Sequence, residues 1–497
     1  MTEAKAQLIA WVPELIYQPT GFGAGLALVT DEAGGIVRIT PVDKLTDERK
    51  INLSRRALLP AMINAHSHAF QRVLRGKTEY RSTPSSFRGG LPPAGLGSSR
   101  TRNRGDKDSF WTWREMMYSA ATRLSPEDIY DASRMAFLEM SLGGIAAVGE
   151  FHYLHHAPDG TPYDDPDLLA KEVIRAARDV GLRIALLRVA YARSGFETEA
   201  NPRQARFIEN DPTIYLKNLE ALRASVRHAD KTSDTAWVGV APHSVRAVHL
   251  DYLKEVIDYA NKHDLNIHMH VAEQPAEVSA CVEEYGRTPI ALLQTEGLLS
   301  ERFTAVHAIH VTPKAIPSFA ETGAMVCACP TTERNLGDGV IPADEYMKHR
   351  VPICLGTDSH TQIDLLEDTR ELEYHLRLQK LERAVLDGES QASSPGSQRL
   401  SARLFDCATV NGARSVGAPN GTLAAGKAAD FFTVDLDDPS ITGAAQDDLL
   451  SAIVFASSRA AVREVVIGGK PVVSEGRHLL QEEIVERFNE LQKRLWS

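Results

Sequence analysis

Eight short apolar runs recur along the chain, and each ends in polar residues able to carry chemistry. They are 57–64, ahead of His66 and His68; 144–148, ahead of Glu150, His152 and Tyr153; 182–190, ahead of Tyr191 and Arg193; and 236–241, ahead of His243 and Arg246. The remaining four are 265–269, ahead of His270 and Glu273; 303–306, ahead of His307; 324–329, ahead of Thr331, Thr332 and Glu333; and 351–356, ahead of Asp358 and His360. Runs this short and uniformly apolar read as strands buried on both faces, the condition of a parallel sheet. Helical stretches separate them. Ser125 reads as an N-cap before Pro126, with Ile129, Ala132, Met135, Ala136 and Met140 at helical spacing. Stretches 250–261 and 365–386 also read as helix. Such alternation predicts an α/β fold, a closed (β/α)8 TIM barrel, whose chemistry gathers at the carboxyl ends of the strands. The polar residues named above all fall at those ends.

The chain termini have a different texture. Strand-like pieces at 26–30 and 36–39 are matched near the other end by 430–436, 452–455 and 462–473, the last with a Gly468-Gly469 turn. We therefore expect residues 1–56 and 418–497 to combine into one small β-sandwich domain, with a terminal helix over 482–495, beside a barrel spanning 57–417. Two segments rich in Gly, Pro, Ser or Gln, 82–107 and 387–399, read as loop insertions.

Five cysteines, Cys281, Cys327, Cys329, Cys354 and Cys407, are too few and too scattered for a disulfide framework and suit a reducing compartment. Cys327 and Cys329 lie in an apolar run and read as core. The first residues lack a basic region leading into a long apolar stretch, so a cytoplasmic protein without a membrane span is expected. A net charge of −11 disfavours a nucleic-acid or anionic-membrane surface. The expected partner is a small molecule, and the expected assembly a homodimer.

His66 and His68 stand two apart at a strand end, so both rings leave the same face. With His270 and Asp358, at the ends of two other strands, they offer three nitrogens and one oxygen, a donor set that suits Zn2+. His268 reads as a buried, hydrogen-bonded histidine. The fourth strand ends in Ala241-Pro242-His243, without the lysine that bridges two metals in barrels of this kind, so one zinc per chain is expected. Glu273 is placed to deliver a proton to a leaving nitrogen, and Asp358 to accept one from water while touching the metal. His307 either stabilises developing charge or is a structural histidine.

LLPAMINAHSHAFQR, the HVAE run 270–273, the His307 strand and LGTDSH (355–360) resemble the amidohydrolase superfamily, in its mononuclear deaminase branch. FWTWRE (110–115), EFHYLHH (150–156), APHSVRAV (241–248) and CPTTERNLGDG (329–339) narrow the resemblance to the deiminases that act on N-formimidoyl-L-glutamate in histidine degradation. The resemblance implies His66, His68, His270 and Asp358 as zinc ligands and Glu273, His307 and Asp358 as catalytic residues. It further implies Gln71, Arg114, Tyr153, His243 and Arg246 as substrate-binding residues, the two arginines suiting a dicarboxylate. The implied reaction is hydrolysis of formimidoylglutamate to formylglutamate and ammonia. The alternatives are a purine, pyrimidine or triazine ring deaminase built on the same machinery, and a non-catalytic barrel scaffold.

Overall fold

The computed structural model describes residues 7–79, 110–196, 198, 201–229, 235–388 and 399–497. The insertion read over 82–107 lies outside the described residues, as does all of 387–399 except its ends.

The eight apolar runs form eight parallel strands in sequential order: β1 Met62–Ser67, β2 Ile145–His152, β3 Arg183–Ala190, β4 Ala236–Pro242, β5 Ile267–Val271, β6 Phe303–His307, β7 Met325–Ala328 and β8 Ile353–Leu355. Every residue of β2 and β3 is buried, as expected of strands with helices outside and packed side chains within. The ring is completed by one short bridge between Ser67 and Asp358. There the His68 amide donates to the Asp358 carbonyl at 3.1 Å, and the Asp358 amide donates to the His66 carbonyl at 3.0 Å. Close approach at this seam needs Gly356, because a Cβ there would lie 2.6 Å from the His66 Cβ.

The helices follow local signals. Pro126–Leu142 starts at Ser125, whose hydroxyl accepts from the Asp128 amide while the Asp128 carboxylate accepts from the Ser125 amide. Leu250–Lys262 and Gln481–Trp496 lie where helical spacing places them, whereas the helix read over 365–386 ends at Lys380, where Leu381 turns left-handed with φ 59°. None of the helices among the described residues is long and apolar enough to cross a membrane.

Both chain ends build a separate mixed sheet of nine strands. Its long strand, Arg49–Pro60, pairs in parallel with Ile9–Gln18 and antiparallel with Phe431–Asp435. Trp11 lies beside Ile51 and Phe431 beside Pro60, nine residues on and roughly 30 Å away along a straight strand. Their rings nevertheless meet at 5.1 Å, so the sheet folds over on itself. Arg55, with φ 59°, and a register shift between Pro13 and Leu15 provide the bend. The run 452–455, read from sequence as strand-like, is instead part of the helix Leu449–Ala456. Its buried residues, Leu449, Leu450, Ile453 and Val454, follow helical spacing, and a short apolar run does not separate the two conformations on its own.

The β domain is pinned to the barrel by a buried ion pair. Arg183, at the start of β3, reaches Asp430 at 2.7 Å, and Asp430 also accepts from Asn420 and from the Gly468 amide. Asp430→Ala strands the guanidinium and should cost about 3–5 kcal/mol of stability, read as a lower denaturant midpoint at unchanged slope.

Candidate metal centre and active site

β1, β5 and the turn after β8 bring His66, His68, His270 and Asp358 together, with one donor atom of each inside a common 4.8 Å limit. Asp358 Oδ1 is 3.4 Å from His66 Nε2 and 3.2 Å from His68 Nε2, and His270 Nε2 is 3.2 Å from His66 Nε2. His68 Nδ1 donates to the Phe151 carbonyl at 2.9 Å and His270 Nδ1 to the His243 carbonyl at 3.2 Å. A carbonyl only accepts, so both rings keep a proton on Nδ1, and each in its neutral form offers an Nε2 lone pair inward. Burial drives His66 down to about 3, with Asp358 resisting and His68 adding to the fall. Burial opposes ionisation of Asp358, but hydrogen bonds from His66 and His68 hold its carboxyl well below the usual range. Converging lone pairs around one carboxylate make a cation site, and the donor set fits a metal ion.

His268, one layer below His270, bonds the Ser415 carbonyl at 3.0 Å and stays out of the cluster. All five cysteines are free and buried. Cys329 comes within the same 4.8 Å limit of His307 and Asp358, but burial holds its thiol well above the usual range, and therefore protonated.

A buried chain absent from the sequence-derived site braces the cluster from behind. The Ser67 hydroxyl donates to Glu150 Oε2 at 2.5 Å and lies 2.9 Å from His360 Nε2. The other nitrogen of His360 meets Thr357 Oγ1 at 3.0 Å, and Thr357 is paired twice with the Asn64 side chain. Glu150 and His360 are legible in sequence only as polar residues that end a strand.

Beside the cluster, His307 Nε2 lies 3.7 Å from Glu273 Oε1 and 3.8 Å from Asp358 Oδ2, while its Nδ1 faces Glu333 Oε1 at 3.2 Å. Burial works against the His307 charge, but Glu273 and Glu333 outweigh it and raise the imidazole to about 10. Burial lifts the Glu273 carboxyl to about 7, partly offset by His307. A cationic imidazole thus stands next to a carboxyl able to hold or release a proton near neutrality.

The cluster opens into a cavity also lined by Gln71, Arg114, Tyr153, His243 and Arg246. Gln71 Nε2 donates to the Tyr153 hydroxyl at 2.8 Å, while its Oε1 is buried without a partner. The His243 ring packs 4.6 Å from Tyr191 and 4.9 Å from His270, and burial holds it neutral, well below its usual value. Arg114 comes from the helix Phe110–Ala121, Arg246 from the turn after β4. Among the described residues neither forms an ion pair, and Arg246 Nη1 is buried without a partner. Tyr118 and Tyr191 also line this wall and Gln204 bonds both hydroxyls, and sequence reasoning assigned none of the three. Tyr191 does follow a strand, and Tyr118 lies four residues after Arg114 on one helix face, both readable signals. Gln204, in a short turn, carries none.

The Amidohydrolase family matches the chain over residues 57–472. The formimidoylglutamate deiminase of Pseudomonas aeruginosa is 37% identical over 433 residues, covering 87% of this chain and 88% of that protein. A 5-methylthioadenosine/S-adenosylhomocysteine deaminase of Haloarcula marismortui is 25% identical, covering 93% and 90%. Among solved structures, an amidohydrolase from Brucella melitensis superposes with a TM-score of 0.84 at 32% identity, covering 99% of this chain and 100% of that one. A zinc-bound adenosine deaminase from Xanthomonas campestris reaches 0.77 at 22% identity, covering 99% and 98%.

Removal of one ligand, as in His270→Ala or Asp358→Ala, should lower the metal retained after dialysis by at least about tenfold, measured by atomic absorption. His268→Ala, one layer away, should leave metal content unchanged in the folded protein.

Proposed function

The chain belongs to the amidohydrolase family, hydrolases that act on C–N bonds, and we propose that it converts N-formimidoyl-L-glutamate and water to N-formyl-L-glutamate and ammonia with one zinc ion per chain. One observation carries the choice of substrate. Two arginines, Arg114 and Arg246, face the cavity of the metal cluster without a carboxylate partner among the described residues. Unpaired guanidiniums in a partly buried wall call for anions from outside, and a substrate with two carboxylates supplies them. The likeness to a formimidoylglutamate deiminase supports the same reading, and the net charge of −11 leaves this wall as a local basic exception.

The zinc ligands in this reading are His66, His68, His270 and Asp358, and the bound ion supplies Lewis acidity that makes water a competent nucleophile at neutral pH. Asp358, held ionised, accepts the proton that water gives up. Glu273, with its carboxyl near 7, hands a proton to the departing nitrogen. His307, cationic and anchored on Glu333, offsets negative charge that develops beside it. The formimidoyl carbon gains an oxygen and loses its imino nitrogen as ammonia. Gln71, Tyr153 and His243 line the path between this centre and the arginine wall and orient the substrate.

Metal-loaded protein should release ammonia from N-formimidoyl-L-glutamate, and release no greater than that of a metal-stripped control would reject the proposal. Arg114→Met and Arg246→Met should each raise KM for this substrate by at least about thirtyfold. A ring deaminase would instead keep its turnover of a neutral heterocycle in both variants.

A further inference from the structure

Two arginines elsewhere in the interior are held by carboxylates, while a third, Arg206, bonds the His156 and Ala121 carbonyls. Arg188 meets Glu209 at 2.6 Å and Asp167 at 3.1 Å, and Arg183 meets Asp430 at 2.7 Å. Such pairing fixes a guanidinium and cancels its charge together. The cavity wall is built differently. Arg114 Nε donates to the Tyr118 hydroxyl and Arg114 Nη2 to the Tyr191 hydroxyl at 3.3 Å. Arg246 lines the same cavity, and its charge bears on the Tyr191 hydroxyl. Both phenols are buried, 3% and 1% exposed, and Gln204 Nε2 bridges them at 2.8 and 2.6 Å. The Arg114 guanidinium also sits 5.1 Å from the Tyr118 ring centre, so one tyrosine holds it by hydroxyl and by face.

We propose that Tyr118 and Tyr191 are positioning residues that set the selectivity of this cavity for dicarboxylates, by fixing Arg114 beside Arg246 through neutral oxygens that leave its charge available to a ligand. This rests on the dicarboxylate reading above. A phenol oxygen accepts hydrogen bonds without carrying a charge, so it supplies the geometry of an ion pair without its neutralisation. Burial raises the Tyr191 phenol, yet Arg114 and then Arg246 pull it below the ordinary tyrosine value, a sign that both unquenched cations bear on one hydroxyl. The arrangement is also rigid. Tyrosine has few rotatable bonds, and both rings are packed, so little entropy is lost when a ligand arrives.

The test uses metal-loaded full-length protein and two simple probes, glutarate with two carboxylates and butyrate with one. Calorimetry should show wild type binding glutarate at least tenfold more tightly than butyrate. Tyr118→Phe and Tyr191→Phe, which remove one oxygen each, should weaken glutarate at least tenfold and leave butyrate within twofold. KM for formimidoylglutamate should rise in step, with kcat kept within threefold. Gln204→Leu, which leaves both phenols in place but unbridged, should give a smaller loss, about threefold, on glutarate alone. Equal weakening of both probes, unchanged glutarate affinity, or a fall in kcat at constant KM would each overturn the proposal, as would a wild type indifferent to the second carboxylate. A wild type that selects glutarate but releases no ammonia would sink the substrate assignment and leave this inference standing.

Discussion

The metal cluster and the closure of the barrel are one interaction. β1 and β8 close the ring through the backbone of residues whose side chains gather at the centre: His66 and His68 at the end of β1, and Asp358 in the turn after β8. A slip of one residue at this seam would turn His66 and His68 to the outer face and break the ring at the same time. Asn64 guards the register, with its side-chain amide paired to the backbone and hydroxyl of Thr357 as another strand would be. Gly356 lets the two chains approach closely enough for this pairing. Fold stability and ligand geometry are therefore set by the same few contacts, and three of the four ligands cannot move independently.

From the seam outward, charge is layered. In the innermost layer burial favours neutral His66 and His270, while Asp358 is held ionised. The next layer holds the mobile proton, on Glu273 near 7 beside a cationic His307. The outermost layer is basic, with Arg114 held by two phenols and Arg246 beside it. Water attack, proton transfer and anion recognition each need a different electrostatic setting. Burial alone would push all of these groups towards neutrality. The specific neighbours of each layer decide which groups escape that pull.

Much of this was legible in the sequence because strand-end chemistry leaves a one-dimensional trace. An apolar run followed by His-x-His, or by His and then Glu three residues on, marks both the strand and its functional tip. His66, His68, His270, Asp358, Glu273 and His307 all lie where that trace put them, around one cavity or its metal cluster. The misses follow from its limits. Gln204 sits in a short turn between elements and has no periodicity to betray it. Tyr118 and Tyr191 carried signals of spacing, but a tyrosine beside an apolar run is ordinary core until its hydroxyl partners are known. Residues 452–455 were ambiguous because four apolar residues satisfy a strand and a helix turn alike, and burial on the 449, 450, 453, 454 face decides it. The double-layered β domain depends on a bend at Arg55, a backbone feature without any compositional mark.

The cavity also divides its labour between kinds of element. Hydrolytic chemistry rests on β1, β5, β6 and β8, held by the barrel ladder and by the braces behind it. Recognition rests on a helix, on the turn after β4 and on a short loop, where side chains tolerate replacement without disturbing the ladder. A solved structure at 22% identity shares the fold, and a fold alone does not fix what its cavity recognises. In this chain the wall is specialised by subtraction. Among the described residues no carboxylate ion pair like those of Arg183 and Arg188 holds Arg114 or Arg246, and neutral hydroxyls hold Arg114. In the proposed function, selectivity for an anion follows as much from the ion pair the protein withholds from Arg114 as from the positive charge it presents.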